Sequence, residues 1–417
     1  MGLREVSMKR WLSLVAIVVL CLSLVVGVAC GGGEEEEEGI TEIKIGLGLP
    51  LTGLAGAFVG TPSVHGFELT AERIGVFDVS GKQYRWKLIM EDTEGSSAAG
   101  GMAAATKFIY DHDVDFVITS GPAALAAQRL CEENGVIIDM GTTSFEAFGP
   151  DHPYTTQTGP CLVAVVAPFY DWLAKAHPEV KRIVVATSDD PLSGAYNEAF
   201  ESNMHEYFGF EQEIVWWAVG TTEYYPTATT IMEKDPDLVI ASPGTQILDI
   251  IWDMGYEGLA ASFGPILDQG LLEQAGWDDC KGLLVFFPEW YGAEGAGIWP
   301  EAVALAREYE ARYGVEMGTV AFLASINLYS LTAALQEAGT VDDVGKIMET
   351  IHSGMTLDSI VGPVYYGGEA FVGVNCVLMF PAGIWEVVGE REYEMLDYYT
   401  PEETEAIAVE AWTATMP

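Results

Sequence analysis

Short apolar segments alternate with longer helix-like segments through most of this chain, and that alternation restricts the possible folds more than any other feature. The apolar segments are rich in β-branched residues, as in Ile183-Val184-Val185 and Leu238-Val239-Ile240, which is typical of strands buried on both faces. The sequence predicts strands at 43–49, 86–90, 116–119, 136–140, 182–187, 214–218, 238–242, 260–263 and 283–287.

Helical patterns occupy the intervals between these strands. They are predicted at 64–74, 98–110, 123–134, 163–176, 195–208, 227–234, 246–254, 301–313 and 321–338. A strand, a helix and a second strand at this spacing form a parallel pair with a crossover helix. The chain is therefore predicted to be an α/β protein with doubly wound parallel sheets.

The predicted strands fall into two series, 43–140 and 182–287, separated by the turn-rich segment 149–160. The chain is too long for one core, so two domains are expected, with the segment between them as a candidate hinge. Ligands of open α/β sheets bind beyond the carboxyl ends of the strands. Two such domains facing each other would therefore hold a ligand in the cleft between them.

The N-terminal segment has the features of an export signal. Arg4, Lys9 and Arg10 precede an apolar run at 11–28, and small residues lead to Cys30. This order is typical of a secretory signal peptide, and a cysteine at the cleavage point is where bacterial signal peptides become lipid-anchored. The alternative is a membrane-spanning helix, because the apolar run approaches the ~20 residues that cross a bilayer.

On the first interpretation, residues 1–29 are removed and Cys30 carries the lipid. The glycine- and glutamate-rich segment 30–41 would then be a flexible, solvated tether. The protein is accordingly expected outside the cytoplasm, anchored to the bacterial cell membrane.

Net charge excludes one class of partner. The chain carries 19 Lys+Arg against 62 Asp+Glu, a net charge of −43 at pH 7, and removal of residues 1–29 makes it more negative still. Phosphate backbones are bound by clustered basic residues. The sequence contains no such cluster, so nucleic acid is not expected as a partner.

Cysteine and histidine spacing gives no indication of a metal site. Beyond the signal and the anchor, the cysteines are Cys131, Cys161, Cys280 and Cys376, and none forms a CxxC pair. A zinc site is therefore not expected. The four cysteines either form two disulfides or remain buried as apolar residues, and their spacing does not decide between these alternatives.

The sequence contains none of the following enzyme motifs in complete form. Gly46-Leu47-Gly48 lies at the end of a predicted strand, but Leu51 stands where a dinucleotide fingerprint needs its third glycine. No nucleophile elbow, P-loop or HExxH sequence is present. Adjacent acids such as Asp92 and Glu94 are expected by chance in so acidic a chain. Neither catalysis nor a cofactor is therefore predicted.

Hydroxyl residues and glycines gather at the ends of two consecutive predicted strands. Thr119-Ser120-Gly121 follows the first, and Gly141-Thr142-Thr143-Ser144 follows the second. Hydroxyls together with free backbone N–H groups at a helix N-terminus bind carboxylates well, and the helix 123–134 would supply that N-terminus. The alternative is that these residues only cap helices or form turns.

An ordered set of segments resembles the leucine/isoleucine/valine-type solute-binding proteins of ABC transporters, which have the periplasmic binding protein type I fold. The segments are Ile43-Lys44-Ile45-Gly46, Leu49-Pro50-Leu51-Thr52-Gly53, Glu91-Asp92-Thr93, Ser120-Gly121-Pro122, Gly141-Thr142-Thr143 and Gly282-Leu283-Leu284-Val285. The resemblance covers nearly the whole chain after the tether. It implies a receptor that closes on a small ligand and delivers it to the permease subunits of an importer.

Residue roles can be carried over from this family by position. The resemblance places a ligand carboxylate near Ser120, Gly121 and Thr143, in the loop that also contains Thr142. Gly141 would offer its backbone carbonyl to an ammonium group.

Two more positions match the family's binding residues, and two depart from them. Phe58 matches an aromatic residue that packs on the ligand side chain, and Asp268 falls close to the acid that holds the α-ammonium. In contrast, Ser193 stands where the family often has tyrosine, and Gln157 where a hinge arginine is usual. The ligand is therefore expected to be a branched-chain or other amino acid, or a related carboxylate.

The resemblance also implies how the chain divides. The first lobe would comprise 42–157 and 287–365, and the second 158–286 and 366–417, with connections near Thr158, Phe286 and Tyr365. A monomer is expected. Two other functions fit the fold: the ligand-sensing domain of a receptor for an amide or aromatic acid, and an extracellular hydrolase.

Overall fold

The computed structural model describes residues 39–141, 144–189, 194–218, 221, 223–242, 246–263, 276–286 and 293–415. Its strands are β1 (Ile40–Leu49), β2 (Phe77–Val79), β3 (Lys82–Asp92), β4 (Phe116–Ile118), β5 (Ile137–Asp139), β6 (Thr155–Thr156), β7 (Arg182–Asp189), β8 (Glu211–Ala218), β9 (Leu238–Ser242), β10 (Leu259–Ser262), β11 (Leu284–Val285), β12 (Thr356–Ser359), β13 (Gly362–Gly367), β14 (Val377–Met379), β15 (Ala382–Gly389) and β16 (Glu392–Tyr399).

The helices alternate with these strands as far as β11 and are grouped after it. They are α1 (Thr61–Ile74), α2 (Ala98–Lys107), α3 (Gly121–Glu133), α4 (Leu162–Ala176), α5 (Gly194–Glu201), α6 (Met204–Tyr207), α7 (Tyr225–Glu233), α8 (Gln246–Asp253), α9 (Ala293–Ala296), α10 (Pro300–Tyr313), α11 (Thr319–Ala338), α12 (Val344–His352), α13 (Glu369–Val372) and α14 (Pro401–Thr415). A short helical segment, Gly53–Ala55, and a π-helical turn, Gly56–Gly60, precede α1.

Two sheets form the two domains. The first domain contains a six-stranded sheet in the order β2-β3-β1-β4-β5-β6, and the second contains a seven-stranded sheet in the order β16-β15-β11-β10-β9-β7-β8. Strands β1, β4, β5 and β6 pair in parallel, as do β8, β7, β9, β10 and β11. The predicted α/β fold with two domains is therefore confirmed.

Successive strand residues belong to different cores, which shows that both faces of the sheets are covered. In β7, Ile183 and Val185 belong to one hydrophobic cluster and Val184 to the other. In β9, Val239 likewise belongs to the opposite cluster from its two neighbours. Side chains alternate across a strand, so helices must cover both sides.

Antiparallel strands at the sheet edges were not predicted. Strands β2 and β3 form an antiparallel pair, and β15 runs antiparallel to both β11 and β16. A separate three-stranded antiparallel sheet, β12-β13-β14, lies between them in sequence. Each sheet is thus a parallel core extended by a hairpin, because a hairpin can join an edge strand without a crossover helix.

The last connection between sheets comes later than predicted. Tyr365 lies inside β13 and pairs with Thr356 and Met379. Only Phe380 and Pro381 separate β14 from β15, which belongs to the seven-stranded sheet. The chain therefore enters the second domain for the last time at these two residues and not near Tyr365.

One predicted helix is interrupted. Residues 195–208 form two helices, α5 and α6, separated at Asn203, whose backbone is left-handed with φ 59°. Asparagine tolerates this conformation better than most residues and favours positions outside helix interiors. Helical periodicity on both sides of such a residue does not reveal the break.

Helix α11 is the central helix of the first domain. Among the described residues it is the one helix long and apolar enough to cross a membrane, but 72% of that stretch is buried inside the protein. Gly66 of α1 faces it, and a Cβ atom on Gly66 would lie 2.4 Å from the carbonyl oxygen of Ala321. The two helices can pack this closely only because residue 66 is glycine.

The four cysteines that follow Cys30 in the chain are all free and buried. Burial raises the pKa of Cys131, Cys161 and Cys376 to about 12 and that of Cys280 to about 11. Of the two alternatives left open by their spacing, the structure shows the second, in which they pack as small apolar side chains.

Candidate functional site

Two of the predicted binding loops lie side by side. Strands β4 and β5 are parallel neighbours, with Ile118 opposite Asp139, so the loops after them meet at the carboxyl edge of the sheet. A Cβ atom on Gly141 would lie 3.1 Å from the Cβ of Ser120. The structure therefore brings Ser120, Gly121 and Gly141 together, as the sequence predicted.

Backbone conformation explains the two glycines. Gly121 has φ 57° and Gly141 has φ 44°, a region that side chains with a Cβ rarely adopt. Gly121 opens helix α3 immediately after its cap residue, Ser120, whose hydroxyl makes no capping hydrogen bond. The helix N-terminus thus keeps donors available for an anion.

Hydrogen bonds from neighbouring strands hold the Ser120 loop in place. Ser96 Oγ donates to the Ser120 carbonyl at 2.9 Å, and the Thr119 N–H donates to the Asp139 carbonyl at 3.1 Å. Beneath the loop, the buried hydroxyls of Thr93 and Thr119 have no hydrogen-bond partner among the described residues. Buried polar groups therefore lie at this carboxyl edge of the sheet.

The first loop, between β1 and α1, is attached to the same edge by Asp92. Its carboxylate accepts hydrogen bonds from the Leu51 N–H at 2.9 Å, from Thr52 Oγ1 at 2.6 Å and from the Glu94 N–H at 2.9 Å. Burial opposes ionisation, but these donors outweigh it and lower the pKa of Asp92. Asp92 is thus a loop anchor.

Phe58 lies on that first loop, in the turn Gly56–Gly60, and the structure describes only its backbone. A Cβ atom on Gly60 would lie 2.2 Å from the carbonyl oxygen of Pro50. The turn therefore folds back on the end of β1, which keeps Phe58 at the carboxyl edge of the sheet.

Asp139, the last residue of β5, is a buried acid that the sequence did not single out. Its Oδ1 accepts from the Gly141 N–H at 3.1 Å and from the Thr158 N–H at 3.3 Å, and its Oδ2 accepts from Thr158 Oγ1. Burial raises the pKa of Asp139 to about 6, although the three hydrogen bonds oppose the shift.

This raised pKa makes part of the protein's stability depend on pH, and Asp139→Asn should remove that part. An unfolded aspartate has a pKa of about 3.9, so between that pH and about 6 the folded protein binds more protons than the unfolded chain. The stability contributed by Asp139 is present below pH ~4 and is lost as the pH rises through 6. The loss is about 3 kcal/mol, given the difference between the folded and unfolded pKa values of Asp139.

Urea unfolding of both proteins from pH 4 to pH 7 measures this effect. We expect the stability of the wild type relative to Asp139→Asn to fall across this range by about 3 kcal/mol. The other carboxyl groups are common to both proteins and cancel in the difference. Parallel stability curves would contradict the raised pKa.

A contact between the domains lies beside this site. The Phe145 N–H, in the loop after β5, donates to Glu198 Oε2 at 2.8 Å, and Glu198 belongs to α5 of the second domain. Burial raises the pKa of Glu198. The Phe145 ring also packs on Phe371 and Trp412, with centroid distances of 5.4 and 5.6 Å. The loop that carries Gly141 therefore reaches the second domain directly.

Gln157 serves the connection between the domains. It is 2% exposed, and its Nε2 donates to the Pro160 carbonyl at 3.0 Å. Its backbone N–H donates to the Cys376 carbonyl, and its own carbonyl accepts from the Leu378 N–H, both at 2.8 Å. The first and last connections thus run side by side.

Five other predicted residues lie outside the described part of the chain: Thr142, Thr143, Ser193, Asp268 and Cys30. Asp139 and Glu198 were not predicted from the sequence, and Thr158 was predicted only as the place of a connection between the domains. One signal was available, since an acid ends the apolar strand Ile137-Ile138-Asp139. Within the described residues, no group of three or more His, Cys, Asp or Glu side chains could hold a metal ion.

Comparison with known proteins gives a family and a set of structural relatives. The model of the family described as "Periplasmic binding protein" matches residues 42–383. A leucine-binding protein from Thermotoga maritima is 20% identical, with a TM-score of 0.70 over 86% of this chain and 99% of that chain. A search of curated protein sequences found no match.

Two further solved structures contain ligands. A branched-chain amino acid transporter substrate-binding protein from Streptococcus pneumoniae, in complex with isoleucine, is 17% identical, with a TM-score of 0.64 over 86% of this chain and 99% of that chain. A solute-binding protein of an ABC transporter from Rhodopseudomonas palustris, in complex with 3,4-dihydroxybenzoic acid, is 21% identical, with a TM-score of 0.69 over 86% and 98%.

Proposed function

This chain belongs to the periplasmic binding protein family, and from that premise we propose that it is the extracytoplasmic solute receptor of an ABC importer. It captures a small carboxylate-bearing ligand between its two domains and presents it to the permease subunits. The observation that carries this proposal is the meeting of Ser120, Gly121 and Gly141 at the carboxyl edge of the first sheet.

This edge suits a carboxylate for electrostatic reasons. The Ser120 hydroxyl and the N–H groups that open α3 are donors, and a helix N-terminus carries partial positive charge. We place the ligand carboxylate here, with Thr142 and Thr143 completing the loop. The Gly141 carbonyl and Asp268 are the proposed partners of an ammonium group, and Phe58 is the proposed contact of the ligand side chain.

A carboxylate is also common to the ligands of two structural relatives. One is in complex with isoleucine and the other with 3,4-dihydroxybenzoic acid, which share an acid group but differ in their amine and side chain. Ser193 stands where the family often has tyrosine, and we propose that this change removes an aromatic contact with the ligand side chain. We therefore propose that the ligand is a carboxylate, and that it is either an amino acid or an aromatic acid.

Binding would act by closing the domains. A ligand held by both domains stabilises the closed form, because only that form makes both sets of contacts. The Phe145–Glu198 hydrogen bond lies where the two surfaces meet. We assign residues 158–286 and 382–417 to the second lobe, and 42–157 with 287–379 to the first. We also propose removal of residues 1–29 and lipid anchoring through Cys30.

A thermal-shift screen with a matched pair of variants tests the proposal. Ligand at 1,000 times its Kd adds about 4 kcal/mol of stability, so an aliphatic amino acid or an aromatic acid should raise the Tm by several degrees. Ser120→Ala should lose much of that shift, since a hydrogen bond to a charged group contributes about 1.5–3 kcal/mol.

Ser97→Ala is the control. The Ser97 hydroxyl caps α2 by accepting a hydrogen bond from the Gly100 N–H at 3.0 Å. Loss of this helix cap should lower the Tm of the free protein but should leave the ligand-induced increase in Tm intact. No shift with any member of the panel would contradict the receptor function. An equal shift in Ser120→Ala would contradict the assigned site alone.

A further inference from the structure

We propose that Asp139 is a positioning residue that couples the Gly141 loop to the first connection between the domains. The proposal rests on the function proposed above, because it gives Gly141 a place in the ligand site. It goes beyond that function in stating how a hinge movement reaches the ligand loop through one buried carboxylate.

The contacts of Asp139 join two separate segments of the chain. Oδ1 accepts from the Gly141 N–H at 3.1 Å and from the Thr158 N–H at 3.3 Å, while Oδ2 accepts from the Thr158 hydroxyl. Asp139 is 5% exposed and Thr158 is 1% exposed. Water therefore has little access to replace any of these donors, so the bonds fix the distance between Gly141 and Thr158.

Thr158 lies in the connection itself. It follows β6 and precedes α4, the first helix of the second domain. Its neighbour Gln157 is bonded on both sides to the strand that leads into the last connection, by way of Cys376 and Leu378. A rotation of the second domain must change the backbone at this point, because two connections run together here.

Gly141 transmits such a change to the ligand loop. Its φ of 44° and its close approach to Ser120 define the position of Gly141, where the loop begins. If Thr158 moves, the carboxylate of Asp139 must either move with it or lose the hydrogen bonds that Thr158 donates. If the carboxylate moves, its hydrogen bond with the Gly141 N–H shifts as well. Burial makes a lost donor costly, so the concerted movement is favoured.

A purely structural role makes a different prediction. Asp139 could simply satisfy the backbone at the end of β5, and Thr158 could independently satisfy the connection. In that case, loss of the Thr158 hydroxyl would affect Thr158 alone. Coupling requires that a change at Thr158 be felt at Gly141, and the carboxylate of Asp139 is hydrogen-bonded to both residues.

Amide hydrogen exchange in the full chain without ligand separates the two cases. In Thr158→Val, exchange at the Gly141 amide should accelerate by roughly tenfold, as expected from the loss of one net hydrogen bond, and Thr158→Ser should restore the slow rate. Asp139→Ala should accelerate exchange at both Gly141 and Thr158. Amides of Ile45 and Val117 in the same sheet report any general loss of stability.

Thr155→Val is the matched control. Thr155 is also 1% exposed and lies in the same segment, but its hydroxyl donates to Glu132 at 2.8 Å and accepts from Gln128 at 3.0 Å. This variant should leave exchange at Gly141 within about twofold of the wild-type rate, since it spares the Asp139 contacts. An unchanged Gly141 rate in Thr158→Val, or an equal increase in Thr155→Val, would overturn the proposal.

The experiment requires no ligand. Its failure would therefore leave the receptor function untouched, and a silent ligand screen would leave the measured exchange rates as they are. The two proposals can thus be rejected separately.

Discussion

Replacement of Trp385 by alanine should lower the free energy of unfolding by about 3–5 kcal/mol, the usual cost of removing a large buried aromatic side chain. Trp385 lies on β15 and is 1% exposed. Its backbone pairs with Val285 of β11, and its ring meets the Trp299 ring edge-on at a centroid distance of 6.3 Å. The cavity left by alanine would lie where the second sheet meets the helix that begins after Trp299.

Urea denaturation of Trp385→Ala and of Trp216→Ala measures this cost. Trp216 lies on β8, the edge strand of the same sheet, and is 39% exposed. Its removal should cost no more than about 1 kcal/mol, because much of its surface is already in water. If the two variants lose equal stability, Trp385 does not hold the position that the structure gives it.

Gly66→Val should destabilise the first domain by about 3 kcal/mol or more, at the upper end of the cost of overpacking a core. A Cβ atom at residue 66 would lie 2.4 Å from the Ala321 carbonyl oxygen and 2.9 Å from its Cα. Both atoms belong to the backbone of α11, so no side-chain rotation can relieve the overlap. Helices α1 and α11 would have to separate, which opens the core that they close.

Gly345→Val is the control for this substitution. Gly345 is an exposed helical glycine in α12, and its added Cβ would meet only the Asp343 carboxylate, at 3.6 Å. Valine has a slightly higher helix propensity than glycine, so the free energy of unfolding of Gly345→Val should stay within about 0.5 kcal/mol of the wild-type value. Thermal unfolding of both variants tests the pair, and a tolerated Gly66→Val would contradict the close helix packing.

The parallel core of the fold could be predicted because its signal is local. Segments such as Ile183-Val184-Val185 are apolar at every position, and only burial on both faces explains that pattern. Of the antiparallel additions, part of β3 was predicted as the strand 86–90, but β2, β15 and β16 gave no such signal. Strand β16, for example, is exposed or half-buried at most positions, so its sequence does not differ clearly from that of a loop.

The position of two loops at the edge of the first sheet could also be predicted. Parallel strands place their carboxyl ends together, so the meeting of Ser120 and Gly141 followed from the order of the strands. The role of Asp139 depends on Thr158, and that of Glu198 on Phe145. Such pairs depend on where the chain returns in space, which hydrophobic periodicity does not encode.

The hairpin β15–β16 has a consequence for the order in which the molecule is made. The second sheet is missing two strands until residues 382–399 join β11, which ends at Val285. The chain between them builds helices of the first domain, so the second sheet is completed only after that part of the first domain has been made. If the chain crosses a membrane amino end first, the second sheet remains two strands short until residues 382–399 have emerged, so the second domain reaches its full stability late.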